Sequence, residues 1–246
     1  MIKILYQDKD IVVVDKPPGM FVHPTENFRH RDQSKINCMK LLREQLGIQV
    51  HPIHRIDRSA SGAVLFALNP ESASNLGKQI QSGLIKKTYV ALVRGWIEER
   101  GEINKPLKNL DSGVINESHS LYERIAIVEF PFITQSEFAT TRASLVHLRP
   151  LTGRQHQLRR HLKHLRHPII GDRMYGDSKC NQMMESMGIR NLLLKSYSLE
   201  FEHPKNKSAM WIHSLWNHTW HQVFNYCGVS AYSPRTVFSA LTLPPA

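Results

Sequence analysis

The chain has 246 residues, of which 41% are hydrophobic and 22% are charged, so it can bury a sizeable core and is not a disordered chain. Lys and Arg outnumber Asp and Glu by 32 to 21, and the formal net charge of +11 favours a polyanionic partner, nucleic acid before membrane. A basic soluble protein with no such partner fits the charge equally well.

Three widely separated cysteines without a CxxC pair argue against a disulfide framework and a thiolate zinc site. Acidic residues come too early for a signal peptide, and no apolar run reaches the ~18 residues of a membrane span. These features predict a cytoplasmic protein.

The pattern of apolar residues predicts the elements in chain order. Alternating or continuous apolar runs predict strands at 2–6, 11–14, 63–68, 86–95, 121–129, 142–148, 192–202 and 209–213. Helical spacing with end signals predicts helices from Ser34 to Gly47, from Asn69 to Gly83, from Thr152 to Pro168, at 178–188 and at 215–226. Residues 24–34 are basic and read as a loop, and 97–118 carry no clear pattern. We expect an α+β protein with one large, mostly antiparallel mixed sheet.

The helix from Thr152 is predicted from a capping box. Thr152 and Gln155 are three residues apart, a spacing at which the Thr hydroxyl and the Gln side chain satisfy each other's free backbone amides. We therefore expect the helix to begin there.

A lone carboxylate, Asp57, lies between Arg55 and Arg58, ahead of a small-residue turn and an apolar strand. Charge is costly at such a position unless it is used, which makes Asp57 a candidate nucleophile or base. The alternative is an ordinary ion pair of Asp57 with Arg55 or Arg58, and the spacing alone favours that alternative.

Tyr89 is a second candidate because it lies in the middle of an apolar strand, where a phenol must find a hydrogen-bond partner. Most such tyrosines are core residues. Tyr89 is of catalytic interest only if it faces Asp57.

Residues 154–167 hold five Lys or Arg, four His and no acid. This segment is suited to bind phosphates at a helix start and along a basic face, although a solvated face is an alternative. An arginine in this helix also has the reach for a bidentate pair with a distant carboxylate. Metal binding is a weaker alternative, because no carboxylate or HExxH pattern accompanies His156, His161, His164 and His167.

Nucleotide-binding and hydrolase motifs are missing from the sequence. There is no GxxxxGK[ST], no GxGxxG after a strand and no GxSxG, which argues against phosphate-loop NTPases, dinucleotide enzymes and α/β-hydrolases.

Three segments, in this order, resemble motifs of the RluA-type family of pseudouridine synthases. They are His54–Gly62, similar to HRLDxxTSG, Lys87–Gly95, similar to KxYxAxVxG, and Thr152–His161, similar to TGRxHQxRxH. A KPxG…H turn at Lys16–His23 and LxxxHP at Leu199–Pro204 agree with the family as well.

The resemblance implies a pseudouridine synthase fold, with helices flanking the large mixed sheet and a central active-site cleft. It implies a catalytic domain at 1–228, a C-terminal tail at 229–246 and no separate S4-like RNA-binding domain. The implied reaction uses no cofactor and no metal: the N1–C1′ bond of a uridine is cleaved, the base rotates, and it rejoins through C5. The basic run at 159–172 and a catalytic fold starting at residue 2 favour family members that modify uridine 65 of tRNA.

The resemblance also implies roles for individual residues. Asp57 is the catalytic aspartate, and Tyr89 packs on the flipped base and removes the C5 proton or assists in its removal. Arg159 pairs with Asp57, Arg55 fills the space that the flipped nucleotide leaves, and Leu158 packs beneath the base. The expected RNA-binding residues are His54, Arg55, Arg58, Arg154, His156, Arg160, Lys163 and Arg166.

The sequence departs from the family pattern at two notable places. Ala60 follows Ser59 where relatives have Pro-Thr, which removes a hydroxyl from the loop. Lys195 stands where relatives often have histidine, and we expect this change to alter an RNA contact.

We thus expect a monomeric tRNA pseudouridine synthase with no membrane or metal partner. The alternatives are the same reaction on ribosomal RNA, a non-catalytic RNA-binding module that keeps the fold, and a metal-dependent hydrolase that uses the histidine cluster.

Overall fold

The computed structural model describes residues 1–24, 35–134 and 138–228. The strands in these residues are β1 (Lys3–Gln7), β2 (Ile11–Lys16), β3 (His51–Pro52), β4 (Ser61–Ala67), β5 (Lys86–Arg94), β6 (Arg100–Asn104), β7 (Leu107–Lys108), β8 (Ile115–Asn116), β9 (His119–Phe130), β10 (Thr141–Pro150), β11 (Leu194–Glu202) and β12 (Ala209–His213). The helices are α1 (Cys38–Leu46), α2 (Pro70–Gln81), α3 (Gln157–His164), α4 (Ser178–Ser186) and α5 (His218–Tyr226).

Ten of these strands form one sheet, and β7 and β8 form a separate pair. The order along the large sheet is β1-β2-β4-β11-β5-β10-β9-β6, with β12 beside β11 and β3 beside β4. Among the described strands, β4 and β11 form the parallel pair, and the other pairings are antiparallel. The predicted α+β class with a large, mostly antiparallel mixed sheet is confirmed.

The central strands are buried on both faces, which explains their continuous apolar sequences. On one face, Val12, Val14, Val64 and Phe66 share a core with Cys38 and Leu42 of α1 and with Leu158 and Leu162 of α3. On the other face, Ile11, Val13, Leu65 and Leu199 share a core with Leu76 of α2. Helix α3 therefore lies on the face opposite to α2.

The first two helices begin at asparagine caps. The side chain of Asn37 accepts a hydrogen bond from the Lys40 amide, and Asn69 accepts one from the Ser72 amide. Gly47 ends α1 in the left-handed conformation, as predicted. Ser34, the predicted cap of α1, lies outside the described residues, as does the basic loop except for residue 24.

The predicted start of α3 at a capping box is wrong. The Thr152 hydroxyl donates to Oε1 of Gln157 (2.7 Å), not to a group on Gln155, and the Arg154 amide donates to the same oxygen (3.0 Å). The side-chain Nε2 of Gln157 donates in turn to the His119 carbonyl (2.9 Å). Because Gln157 fastens this loop to β9, the chain turns until His156, at φ 53°, and the helix starts one residue later.

The compact units of the chain are residues 1–215 and 216–246. In the described part of the second unit, Asn217 caps α5, and Trp216 packs edge-on against Phe224 with ring centroids 4.7 Å apart. The expected tail at 229–246 lies outside the described residues, and its boundary at residue 228 stays a prediction. No helix among the described residues is long and apolar enough to cross a membrane.

Candidate active site

The candidate site begins with the turn that carries Asp57. The Ala60 amide donates to the Asp57 carbonyl (3.1 Å) and closes this turn immediately before β4. Ala60 is buried, and its backbone amide closes the turn without a side-chain hydroxyl. The side chain of Asp57 stays 23% exposed and faces a cleft of about 830 Å³.

Sheet register brings Tyr89 to the same place. Ser196 of β11 pairs with Gly62 of β4 on one side and with Tyr89 of β5 on the other. Gly62 is the second residue of β4, so Tyr89 and the turn with Asp57 are two strands apart at the same level of the sheet. Both side chains line the cleft.

Burial raises the pKa of Tyr89 well above its usual range, and the negative charge of Asp57 adds to this effect. A hydrogen bond with Ser196 acts in the opposite direction and is outweighed. The phenol is therefore protonated at neutral pH, which suits it to pack and to donate a hydrogen bond rather than to accept a proton.

Asp57 forms an ion pair with Arg159, which is distant from it in the sequence. Nη1 of Arg159 lies 3.1 Å from Oδ2 of Asp57, across 102 residues of sequence. Arg58 instead donates through Nε to the Gly19 carbonyl (3.0 Å) and lies over the Phe21 ring at 5.4 Å. The structure thus places Asp57 and Arg159 in contact, with Tyr89, the third residue expected to be catalytic, in the same cleft.

A buried lysine ties a second turn to the turn with Asp57. The Lys16 ammonium donates to the carbonyls of Pro17 (2.8 Å), Met20 (2.8 Å) and Arg58 (3.1 Å). The Gly19 amide also donates to the Arg58 carbonyl (2.8 Å). The KPPG segment is therefore a wall of the cleft as well as a strand end.

Seven of the eight predicted RNA-binding residues fall into two groups. Arg55, Arg58, Arg154 and His156 line the cleft, as does Leu158, the expected base-packing residue. Arg160, Lys163 and Arg166 lie farther along α3 and its end, outside the cleft lining. The structure therefore places the first group around the cleft and the second on the surface of α3 and the turn that follows it.

His54 does not face the cleft. Its Nε2 accepts a hydrogen bond from the Leu65 amide (3.2 Å), which directs the ring against β4. Burial, with the charge of Lys87, lowers the pKa of His54 to about 3, so the ring is neutral. A neutral inward-facing ring is a scaffold group, and we assign it no RNA contact.

The expectation for Lys195 is wrong as well. Its side chain is 2% exposed, and Nζ lies 3.4 Å from Oδ1 of Asp15. The same oxygen accepts a hydrogen bond from the Ser214 hydroxyl (2.7 Å). Lys195 is thus held in the interior between strands and cannot reach an RNA ligand.

The histidines of the basic segment do not converge on one point. His156 bonds through Nδ1 to the Tyr175 hydroxyl (3.0 Å), and His167 through Nδ1 to the Arg94 carbonyl (2.8 Å). His161 is buried between Ser120 (3.0 Å) and the Lys105 carbonyl (3.1 Å). A shared metal ion needs ligand atoms that meet, so this arrangement does not support the histidine-cluster hydrolase.

A different group in the described residues has ligand-like spacing: Asp8, Asp10 and His203. Nδ1 of His203 accepts hydrogen bonds from the amides of Lys205 (3.2 Å) and Asn206 (3.3 Å). Nε2 therefore carries the proton and donates to Asp8 (2.8 Å), which leaves the ring no lone pair for a metal.

Sequence reasoning missed Asp172, which pairs with Arg159 on the side of the guanidinium away from Asp57. Oδ2 and Oδ1 of Asp172 accept hydrogen bonds from Nε (2.8 Å) and Nη2 (2.9 Å) of Arg159. One signal was available: no acidic residue lies between Glu137 and Asp172, so Asp172 is the first carboxylate after the basic segment. Arg173 and Arg190, which also line the cleft, were missed too.

The chain belongs to the RNA pseudouridylate synthase family, whose model matches residues 10–164, and membership of this family makes it an RNA-modifying isomerase. Two solved structures share the fold, human RNA pseudouridylate synthase domain containing 1 (TM-score 0.66, 23% identity) and domain containing 4 (TM-score 0.68, 20% identity). Each match covers 92% of this chain, and 94% and 93% of the respective human chains.

The chain is also similar to proteins named tRNA pseudouridine synthase C. It is 41% identical to the one from Haemophilus ducreyi, over 92% of this chain and 95% of the relative. It is 42% identical to the one from Vibrio vulnificus, over 91% of this chain and 94% of the relative.

Proposed function

We propose that this chain isomerises a uridine of tRNA, uridine 65, to pseudouridine, with Asp57 as the catalytic group. The observation that carries the proposal is the Asp57 carboxylate at the cleft surface, 3.1 Å from Nη1 of Arg159 and beside a protonated Tyr89. The relatives named for tRNA, at about 40% identity over more than nine-tenths of the chain, support tRNA as the substrate.

The reaction conserves the atoms of the nucleotide. The N1–C1′ bond breaks, the base rotates within the cleft, a C5–C1′ bond forms, the C5 proton leaves, and N1 gains a proton. Asp57 acts on the sugar or the base, as a nucleophile or as the group that removes a sugar proton. In each case its carboxylate must approach the reacting atoms from a defined direction, and the contact with Arg159 limits its rotamers.

Tyr89 and Leu158 hold the rotating base in this proposal. Both line the cleft with nearly buried side chains, 8% and 6% exposed, so they offer apolar contact close to Asp57. Because Tyr89 keeps its proton, it assists removal of the C5 proton by packing and hydrogen bonding, and the proton passes to another acceptor.

RNA binding rests on arginines around the cleft. Arg55 and Arg58 approach from the turn with Asp57, and Arg154 from the turn before α3. A target uridine must leave its stack to reach Asp57, and the exposed guanidinium of Arg55 is placed to fill the gap. Arg160, Lys163 and Arg166 extend the positive surface along α3 for neighbouring phosphates.

We further propose that the protein acts in the cytoplasm as a monomer, without cofactor or metal. The ring nitrogens of His161 and His167 contact protein oxygens at separate places and not a shared point, which supports a reaction without a metal.

The direct test uses purified protein and tRNA carrying tritium at C5 of uridine. Wild type releases tritium to water, because C5 loses its proton when it bonds to C1′. Asp57→Asn binds tRNA with the wild-type dissociation constant and releases none. The matched control is Glu71→Gln on α2, whose carboxylate is 79% exposed on the opposite face of the sheet; it releases tritium at the wild-type rate. Release by Asp57→Asn at the wild-type rate would contradict the proposed role of Asp57.

A further inference from the structure

We propose that Asp172 is a positioning residue for the isomerisation. It fixes the Arg159 guanidinium so that Nη1 donates to Asp57. This inference rests on the proposed function, since it assigns Asp172 an effect on the reaction that Asp57 carries out.

The contact between Asp172 and Arg159 is bidentate. Both oxygens of Asp172 take part, with Nε at 2.8 Å and Nη2 at 2.9 Å, and its side chain is fully buried. This side-on pairing fixes the plane of the guanidinium. Nη1 remains for Asp57, at 3.1 Å. The Asp172 carboxylate, on the other side of the guanidinium, therefore sets the orientation of Arg159 next to Asp57.

Charge balance is the second part of the argument. One arginine faces two carboxylates, and the three side chains together carry a formal charge of −1. The two shorter contacts are with the fully buried Asp172, while Asp57 makes the single longer contact and is 23% exposed. Asp172 thereby compensates most of the guanidinium charge, and Asp57 keeps negative charge available for the nucleotide instead of being neutralised by Arg159.

Asp172 is itself held in place. Oδ1 accepts hydrogen bonds from the amides of Met174 (2.9 Å) and Tyr175 (3.0 Å), and the Asp172 carbonyl accepts one from Asn181 of α4 (3.0 Å). Burial raises the pKa of Asp172, but the hydrogen bonds and charge of Arg159 and these amides outweigh burial and leave the pKa below its usual range. Asp172 is therefore an anion at neutral pH.

The same turn completes the surroundings of Arg159. The Tyr175 ring lies 5.0 Å from the guanidinium carbon, and its hydroxyl bonds to His156, which lines the cleft. Gly176 permits the turn, because a Cβ there would lie 2.1 Å from the Asp172 carbonyl oxygen. A series of hydrogen bonds thus leads from Asn181 of α4 through Asp172 and Arg159 to Asp57.

A neighbouring ion pair provides a matched control. Asp177 lies five residues after Asp172, pairs with Arg94 at 2.6 Å and caps α4 through the Cys180 amide (2.9 Å). It does not line the cleft. Asparagine caps a helix as well as aspartate does, so Asp177→Asn keeps α4 and Asn181 in place. It should lose stability through the ion pair with Arg94 without changing the chemistry.

The experiment measures single-turnover isomerisation of bound tRNA, the dissociation constant for tRNA and unfolding by urea, for wild type, Asp172→Asn and Asp177→Asn. We expect Asp172→Asn to lower the single-turnover rate roughly 10- to 100-fold with an unchanged dissociation constant, because a small misorientation next to the reacting atoms costs rate. Asp177→Asn should be less stable than wild type at the wild-type rate. An Asp172→Asn variant that is as fast as Asp177→Asn would overturn the inference.

A second variant covers the case in which Asp172→Asn fails to fold. Asn181→Ala removes one hydrogen bond to the Asp172 backbone and leaves the carboxylate, so it should show the same signature with a smaller fall in rate. A wild-type rate for Asn181→Ala would then overturn the inference. The wild-type measurement distinguishes the two proposals. If wild-type protein does not isomerise tRNA, the proposed function is wrong. If wild type is active and the variants are equally fast, only the role of Asp172 is wrong.

Discussion

At the scale of single residues, the site depends on charges that are buried and compensated. Lys16 is 0% exposed, and its ammonium faces three backbone carbonyls that belong to the two turns beside Asp57. Arg159 lies between two carboxylates. In both cases a cation that would be costly alone is held by several acceptors, and the same acceptors fix the loops of the cleft.

The pH dependence of stability tests the burial of Lys16. Burial lowers the pKa of Lys16 to about 8 from 10.5. Between these values the unfolded chain binds a proton that the folded chain has released, so the contribution of Lys16 to the free energy of unfolding increases with pH, by up to about 1.4 kcal/mol per pH unit. Below pH 8 both states hold the proton and the contribution is constant.

Urea unfolding of wild type and Lys16→Met from pH 7 to 10 measures this effect. We expect the difference in free energy, wild type minus variant, to be level up to about pH 8 and then to increase. Lys78→Met on α2, where the lysine is exposed, should show no such increase. A difference that stays level for Lys16→Met up to pH 10 would contradict a folded-state pKa near 8.

At the scale of elements, the approach of β4 to β11 sets the distance between the turn with Asp57 and Tyr89. Gly62 has φ 113°, and a Cβ there would lie 2.1 Å from the Ser196 carbonyl oxygen. Only glycine fits this parallel pairing, because a side chain must push the two strands apart.

Gly62→Ala should therefore destabilise the protein by roughly 2–4 kcal/mol, through backbone strain and overpacking, and should lower the rate of isomerisation at temperatures where it is folded. Thermal unfolding and the tritium-release assay measure the two effects. Gly77→Ala in α2 is the control: a Cβ there has open space, so we expect about 0.5–1 kcal/mol of stabilisation and an unchanged rate. Equal stabilities of Gly62→Ala and wild type would refute the close strand approach.

Elements with a strong apolar pattern could be predicted from the sequence, and elements set by tertiary contacts could not. The strands β2, β4 and β5 are buried on both faces, so their sequences are continuously apolar. Strand β6 alternates exposed polar residues at the sheet edge, which is why residues 100–104 showed no clear pattern. The start of α3 depends on contacts of Gln157 with β9, which no local spacing reveals.

In the candidate site, too, local motifs could be recognised in the sequence, whereas features set by tertiary contacts could not. Asp57, Tyr89 and Arg159 were found because three motifs resembled one family, and the pairing of Asp57 with Arg159 agrees with that expectation. The inward orientation of His54, the burial of Lys195 and the contact of Asp172 with Arg159 depend on the packing of distant strands. The motifs therefore located the cleft but did not distinguish residues that face it from residues that support it.

At the scale of the whole molecule, the net charge of +11 implies that phosphate contacts contribute much of the affinity for RNA. The affinity should fall steeply with salt, with log K linear in log salt concentration and a slope of roughly −0.7 to −0.9 per phosphate contact. Lys163→Ala should make this slope less steep by about one contact if the surface along α3 binds phosphate.

Fluorescence anisotropy with labelled tRNA over a series of KCl concentrations measures the slope. Lys78→Ala removes an exposed lysine from α2, on the other face of the sheet, and should leave the slope unchanged. A flat salt response of the wild type, or equal slopes for Lys163→Ala and Lys78→Ala, would contradict binding along α3.

The most direct test of tRNA isomerisation by Asp57 is chemical mapping of pseudouridine in all tRNA and ribosomal RNA of a strain that lacks this protein. We predict that pseudouridine is lost at position 65 of tRNA, that the wild-type protein restores it, and that Asp57→Asn does not. Unchanged tRNA, loss confined to ribosomal RNA, or restoration by Asp57→Asn would contradict the account.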